Sequence, residues 1–305
     1  MSNINREISN IYTIGRKEFM DNVMSKRFLG IGIFYVGMSL LLAAVVTFMY
    51  YSTLSVYNDP SVAEISKMQA EYMLNSFSPD MVLSYINILN LILALLAMIV
   101  TCDTISLERK DRTMYQLLSK PVDRSSIILG KFLGNLSIVT LLFLAGASVA
   151  YVIVAVLTGK YPDIGHIPSI VAAILSMVVL LAVYVSMGMI ISSVTRNPFI
   201  SIISSLLVWM GMWFSATVGN MVGDAALYSK TAFVVGDPFT QYPIYAKIMV
   251  WLDPLSHGIL PQLLDSTGSS QVAAGLPLWA NMVFLLAYMG VFLLGSIVVF
   301  ERSDL

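Results

Sequence analysis

The feature that most constrains this chain is a block of apolar residues repeated six times, at roughly 28–50, 83–101, 127–157, 168–191, 199–219 and 277–300. Apart from Lys131 near the start of the third, the blocks contain no Asp, Glu, Lys, Arg or His. Each is long enough to cross a hydrocarbon core of about 30 Å as a helix. In lipid every backbone N–H and C=O needs an internal partner, and with no water available a helix supplies all of them within one segment. A soluble fold has no use for six such blocks, and a mean hydropathy of +0.81 with 57% hydrophobic residues agrees. The sequence therefore predicts an all-α polytopic membrane protein with six transmembrane helices in a single domain over 1–305. The third block exceeds a bilayer's thickness, so its first turns are expected at the interface, with Lys131 snorkelling to water. The first block does not read as a cleavable signal: its 27-residue leader is too structured, its core is too long, and no small-x-small site follows.

Lysine and arginine then set the orientation. Arg6, Arg16, Lys17, Lys26 and Arg27 precede the first span, and Arg109, Lys110, Arg112, Lys120, Arg124 and Lys131 sit in the 102–131 connector. With Arg196 and Arg302, that side carries 13 of the 17 basic residues. Only Lys67, Lys160, Lys230 and Lys247 fall on the other. By the positive-inside rule both termini are expected in the cytoplasm of a cell membrane. Two long outer loops, 51–82 and 220–276, remain. The second has Pro238, Pro243, Pro254 and Pro261 around apolar runs such as "IYAKIMVWL", which suggests short helices half-embedded at the outer surface.

Two cytoplasmic pieces carry pattern. In the leader, 1–27, Ile4, Ile8, Ile11, Tyr12, Phe19 and Val23 share one helical face and Arg6, Asn10, Thr13, Lys17 and Asp21 the opposite one. A basic amphipathic helix beside a span lies in the interface, apolar side down. Glu18 falls on the apolar side, where an unpaired charge is costly. It either snorkels to headgroups or pairs with an arginine of the connector. The connector, "ISLERKDRTMYQLLSKPVDR" at 105–124, holds eight charges in twenty residues. Met114, Leu117 and Leu118 give it an apolar stripe, and Pro121 stops it, because the residue before a proline is pushed out of helical geometry. Asp123 or Ser125 would cap the next span.

The spans offer little chemistry of their own. Ion-coupled carriers and voltage sensors use ionisable groups at membrane depth, and no acidic ring or carbonyl filter for a pore is evident. Gly130-Lys131 is followed by Phe132, so it is not a phosphate-binding loop. Cys102 is the sole cysteine, which excludes an intrachain disulfide and a cysteine metal site. Asp253, Ser256 and His257 lie close in sequence, but a catalytic triad is a geometry and nothing local supports one. The nineteen methionines are scattered, as packing residues are. Gly130-x-x-x-Gly134 and Gly219-x-x-x-Gly223 match a helix-contact spacing that is also common by chance.

Together, "GRKEFMD" in the leader and "ISLERKDRTMYQLLSKPVDRSSIILGKFLG" after the second span resemble the permease subunits of type-2 (ABC-2) ATP-binding-cassette transporters, especially those encoded with nitrous-oxide-reductase maturation systems. Lys110 stands where that family usually has an acid, and Arg112 where it usually has glycine. The resemblance implies an elbow helix with Arg16, Lys17, Glu18 and Phe19, and a coupling helix at 103–124 that docks on a separate ATPase. Its interface would comprise Ile105, Ser106, Glu108, Arg109, Lys110, Arg112, Thr113, Leu117, Leu118, Pro121 and Arg124. Arg196 and Asn197, in the second cytoplasmic turn, would add a minor contact. It also implies two ATPase subunits holding ATP and magnesium, a second permease (by default a copy of this chain), lipid around the spans and no cofactor, metal, catalysis or nucleic acid here. Export of an unnamed cargo is one expected function. The other is a mechanical role toward an extracytoplasmic partner. Whether Glu108 and Arg109 face the ATPase or the elbow stays open in the sequence.

Overall fold

Helices form wherever the chain offers apolar residues without proline, and they stop where capping residues intervene. The computed structural model describes residues 3–76, 80–111, 122–161, 167–229, 238–258 and 276–302. Its helices are α1 (Asn3–Val23), α2 (Lys26–Asn58), α3 (Glu64–Ser76), α4 (Asp80–Thr101), α5 (Ser106–Lys110), α6 (Arg124–Thr158), α7 (Ile167–Val194), α8 (Pro198–Tyr228), α9 (Ile244–Trp251) and α10 (Leu278–Arg302). Among the described residues there is no strand. Six helices, namely α2, α4 with its continuation to Lys110, α6, α7, α8 and α10, are long and apolar enough to cross a membrane.

Local chemistry sets the helix ends. Ser25 caps α2, its hydroxyl accepting from the Phe28 N–H at 3.1 Å. Asn197 caps α8 by accepting from the Phe199 N–H at 3.0 Å, and Pro198 fills the first helical position, where a missing N–H does no harm. Asp123 occupies the N-cap position of α6 without a side-chain bond, and Gly159 closes that helix at φ +67°, a left-handed value that glycine adopts freely. Two helices outrun their apolar blocks. α2 reaches Asn58 and α8 reaches Tyr228, because neither extension contains a proline and a helix need not stop at the bilayer edge. α3 folds back against the far part of α2, and the Lys160 ammonium holds the Leu74 carbonyl at 3.0 Å.

α4 and α7 form the centre. Leu93, Met98, Leu181, Val183 and Tyr184 are buried there against Tyr35 of α2, Phe143 of α6 and Phe300 of α10. α2, α8 and α10 leave most of their apolar surface exposed, the arrangement a lipid solvent permits.

The segment 238–258 differs from an outer-surface helix pair. α9 lies along α8 where Gly219 and Gly223 leave the surface flat: a Cβ on Gly219 would stand 2.9 Å from the Ala246 carbonyl oxygen. At its tip, Asp253 accepts from the Tyr184 hydroxyl at 3.1 Å and the Trp251 carbonyl accepts from Tyr288 at 2.7 Å. Tyr184 lies ten residues before the end of α7, about 15 Å along its axis, so the tip sits deep among the spans. The chain then returns, and His257 meets Asn281 in the first turn of α10. The proline-bounded run thus dips inward and comes back, a tertiary choice that hydropathy does not encode.

Candidate functional site

The charged connector begins at the end of the bundle shared by α1, the start of α6 and the end of α10. Its first residues are not a surface. Cys102, Asp103, Thr104, Ile105 and Ser106 are all buried. The first N–H groups of a helix lack partners within it, and α5 has no side-chain cap of its own. Ser192 of α7 supplies one, its hydroxyl accepting from the N–H of Ile105 at 2.9 Å and of Ser106 at 3.1 Å. The Ser201 hydroxyl of α8 donates to the Cys102 carbonyl, and Arg27 at the start of α2 pairs with Asp103.

Lys131 is the hub. Its side chain is 1% exposed, and its ammonium reaches Glu18 of α1 at 3.0 Å, Glu108 of α5 at 2.8 Å and the Thr104 carbonyl at 3.4 Å. An ammonium has three N–H donors and no acceptor, so three acceptors satisfy it. One turn further along α6, Asn135 donates to the Thr104 hydroxyl at 3.3 Å and accepts from Asn22 of α1 at 3.1 Å. Lys131 therefore does not snorkel, and Glu18 meets this lysine rather than an arginine.

Glycine makes the approach possible. α1 packs on α6 with Gly15 facing Gly130 and Gly134. A Cβ on Gly130 would lie 2.7 Å from the Ile14 Cβ, and one on Gly134 would lie 2.8 Å from both the Glu18 Cβ and the Gly15 carbonyl oxygen. Hence Ile14, Gly15 and Glu18 face the protein, whereas Ile8 and Tyr12 stay exposed. The leader's apolar stripe is only partly its packing face. Burial lifts the Glu18 carboxyl above its ordinary value; the attraction of Lys131 opposes this and the nearby Glu108 carboxylate reinforces it.

The residues expected to meet a partner divide. Arg109 turns inward, donating to the Ser193 carbonyl at 2.8 Å with its guanidinium 5.8 Å from the Phe300 ring centre. Arg124 donates to the Glu301 carbonyl at 2.8 Å. Phe19 packs on the core. Exposed here are Leu107, Lys110 and Asp111 on the connector, Arg16 and Lys17 on α1, and Arg196 and Asn197 in the turn before α8. Arg112, Thr113, Leu117, Leu118 and Pro121 lie outside the described residues. Arg27, Asp103, Asn135 and Ser192 complete the site without having been expected in it. The available signal was Lys131 itself, the one charge inside an apolar block, flanked by Gly130 and Gly134.

Elsewhere, Asp253, Ser256 and His257 do not assemble a triad. Ser256 donates to the Val250 carbonyl at 2.8 Å, Asp253 binds Tyr184, and the His257 ring turns to Asn281.

No curated protein matches this chain. The family described as ABC-2 family transporter protein matches residues 12–305, a stretch that includes α1 from Tyr12, the connector and all six spans. With its apolar helices tied at one end to a charged connector, the chain belongs to the ABC-2 family of transporters, as the membrane permease subunit of an ATP-binding-cassette transporter.

Proposed function

We propose that this permease couples ATP hydrolysis by a separate ATPase subunit to export of a cargo across the cytoplasmic membrane, with the connector 103–124 as the element on which the ATPase pushes. One observation carries the proposal: the first turn of the connector is bonded at once to α1, α2, α6, α7 and α8, through Glu18–Lys131–Glu108, Arg27–Asp103, Ser192 and Ser201. A displacement of α5 cannot be absorbed by a slack loop; it must move those helices. Leu107, Lys110 and Asp111, exposed on α5 and its end, present the contact surface, with Arg16, Lys17, Arg196 and Asn197 beside it. ATP and magnesium sit on the ATPase. Both termini face the cytoplasm, and two ATPases and two copies of this permease make the working unit, the symmetric arrangement being the simplest default. The nitrous-oxide-reductase-maturation subtype rests on the resemblance of the leader motif "GRKEFMD" and the connector motif.

A mechanical subunit acting on an outer partner is the second reading. It is favoured by the α2–α3 hairpin, which runs beyond the apolar block with Ile65, Met68 and Tyr72 exposed. The test is co-expression with a cognate ATPase subunit. Charge reversal at Lys110 and Asp111 is expected to lower permease-stimulated ATP hydrolysis at least tenfold while leaving the thermal stability of the purified permease unchanged. Unaltered stimulation would refute the docking surface, and cargo movement in reconstituted vesicles separates export from the mechanical role.

A further inference from the structure

The leader helix keeps a second line of side chains that the hub does not use. Ile8, Tyr12, Arg16, Met20 and Met24 follow one another at every fourth position of α1, and all of them are exposed. Residues four apart lie one above the other on a helix. This line turns away from α6, which is met by Ile14, Gly15 and Glu18. Its members are apolar, with Tyr12 68% and Met24 81% exposed, except for one guanidinium in the middle. Ser25 then caps α2, and the first turns of that span repeat the arrangement. Lys26, Leu29 and Ile33, at i, i+3 and i+7, share an exposed face. Leu29 and Ile33 belong to a helix long and apolar enough to cross a membrane, so acyl chains cover them. Lys26, about 5 Å nearer the helix start than Leu29, stands at headgroup level.

Charge decides what covers this corner. Among the described residues neither Arg16 nor Lys26 is in an ion pair, whereas Arg27 is held by Asp103 and Glu18 by Lys131. The exposed acids Glu7 and Asp21 lie off the line, about 100° around α1 from Ile8 and Met20. Cations set among exposed apolar side chains match a molecule with a negative head and an apolar tail, and an arginine fork bonds phosphate oxygens in pairs. A second copy of this corner would instead set like charges against each other. We propose that the α1–α2 corner is a docking surface for anionic phospholipid of the adjoining leaflet. Phosphate oxygens accept from the Arg16 guanidinium and the Lys26 ammonium, and acyl chains lie on Leu29, Ile33 and the apolar members of the α1 line. Met24 lies about 12 Å beyond Arg16 along α1, so each cation takes its own headgroup. The lipid thereby fixes the depth of α1, the helix that carries Glu18 to the hub. Lys17, about 100° around from Arg16, is left to the ATPase side.

The full chain, purified in a neutral detergent, is titrated with phosphatidylglycerol or phosphatidylcholine, and bound lipid is counted by native mass spectrometry. Phosphatidylglycerol should be held about tenfold more tightly. Arg16→Gln and Lys26→Gln should each weaken it about fivefold and the pair about 25-fold, the effect of one surface cation apiece. Lys17→Gln should leave it within about twofold of the parent. Equal retention of the two lipids, a double variant that keeps the preference, or a loss in Lys17→Gln as large as in Arg16→Gln overturns the surface. Displacement by soluble glycerol phosphate would assign the cations to free phosphate. A smaller dimer fraction in the double variant with lipid retention intact would assign the corner to a second copy. Either result overturns the lipid. All three substituted side chains are exposed, and an unchanged unfolding midpoint of the lipid-free permease separates lost binding from misfolding.

Discussion

Replacing Lys131 by methionine removes the ammonium but keeps most of the buried volume. The consequence follows from the count of charges around it: two carboxylates, Glu18 and Glu108, share one cation that is 1% exposed. Breaking a buried pair by removing one partner costs about 3–5 kcal/mol, because the remaining charge keeps its desolvation penalty and loses its compensation. Here two carboxylates are left facing each other, so Lys131→Met is expected at the upper end of that range. Glu18→Gln removes the surplus negative charge instead and leaves Lys131 with Glu108, so its cost is expected below about 1 kcal/mol. In the double variant part of the Lys131→Met deficit is recovered, and the triple variant with Glu108→Gln, which has no buried charge in the cluster, should approach the parent.

The pH dependence carries a defined sign. Burial raises the Glu18 carboxyl above its ordinary 4.5. Its contribution to stability is therefore fully present below 4.5 and is lost as the pH rises through the folded-state value. Glu18→Gln should abolish that loss, and the Lys131→Met deficit should grow with pH over the same interval. Equilibrium unfolding in mixed micelles, as a double-mutant cycle at several pH values, measures both. If Lys131→Met lies within about 0.5 kcal/mol of the parent, or if its effect and that of Glu18→Gln simply add, the three residues are not one buried unit.

Three further outcomes follow from the contacts. Gly134→Leu would drive a side chain into Glu18 and the Gly15 carbonyl, costing about 1–3 kcal/mol by overpacking; proteolysis of residues 1–23 should accelerate, and Gly37→Leu, which has open space, should not do this. Arg109→Ala loses the bond to the Ser193 carbonyl and the contact over Phe300; a fall of about 1–3 kcal/mol in purified permease without its ATPase would mark it as internal, and no change would return it to the docking surface. Tyr184→Phe removes a donor from the buried Asp253 carboxylate and should cost about 1–3 kcal/mol, read as a lower unfolding midpoint; an unchanged midpoint would mean that the tip is not anchored to α7.

The membrane architecture was legible because its cause is local. A block of twenty apolar residues has one stable conformation in lipid, and six blocks give six helices whatever else the chain does. Helix starts at Ser25 and Asn197 are local too, since a side chain reaching two or three residues along makes each cap, but neither was expected; the start expected at Asp123 or Ser125 has Asp123 at the N-cap without a side-chain bond. The connector was conspicuous from its charge density alone. What the sequence could not assign was direction. Glu108 and Arg109 are charged residues in a charged segment, yet one turns to Lys131 and the other to Ser193 and Phe300, more than 80 residues away in each case but the first. Glu18 looked like a misplaced charge until α1 was laid on α6 through Gly15, Gly130 and Gly134.

The same division holds for 238–258. Proline spacing determined that the run could not be a full span, and only packing against Gly219 and Gly223 decided that it dips among the helices and carries Asp253 and His257 with it. Hydropathy and capping act over a few residues and are written in the chain. The partner of a buried charge is chosen by which backbones can approach, and that depends on the whole bundle closing at once.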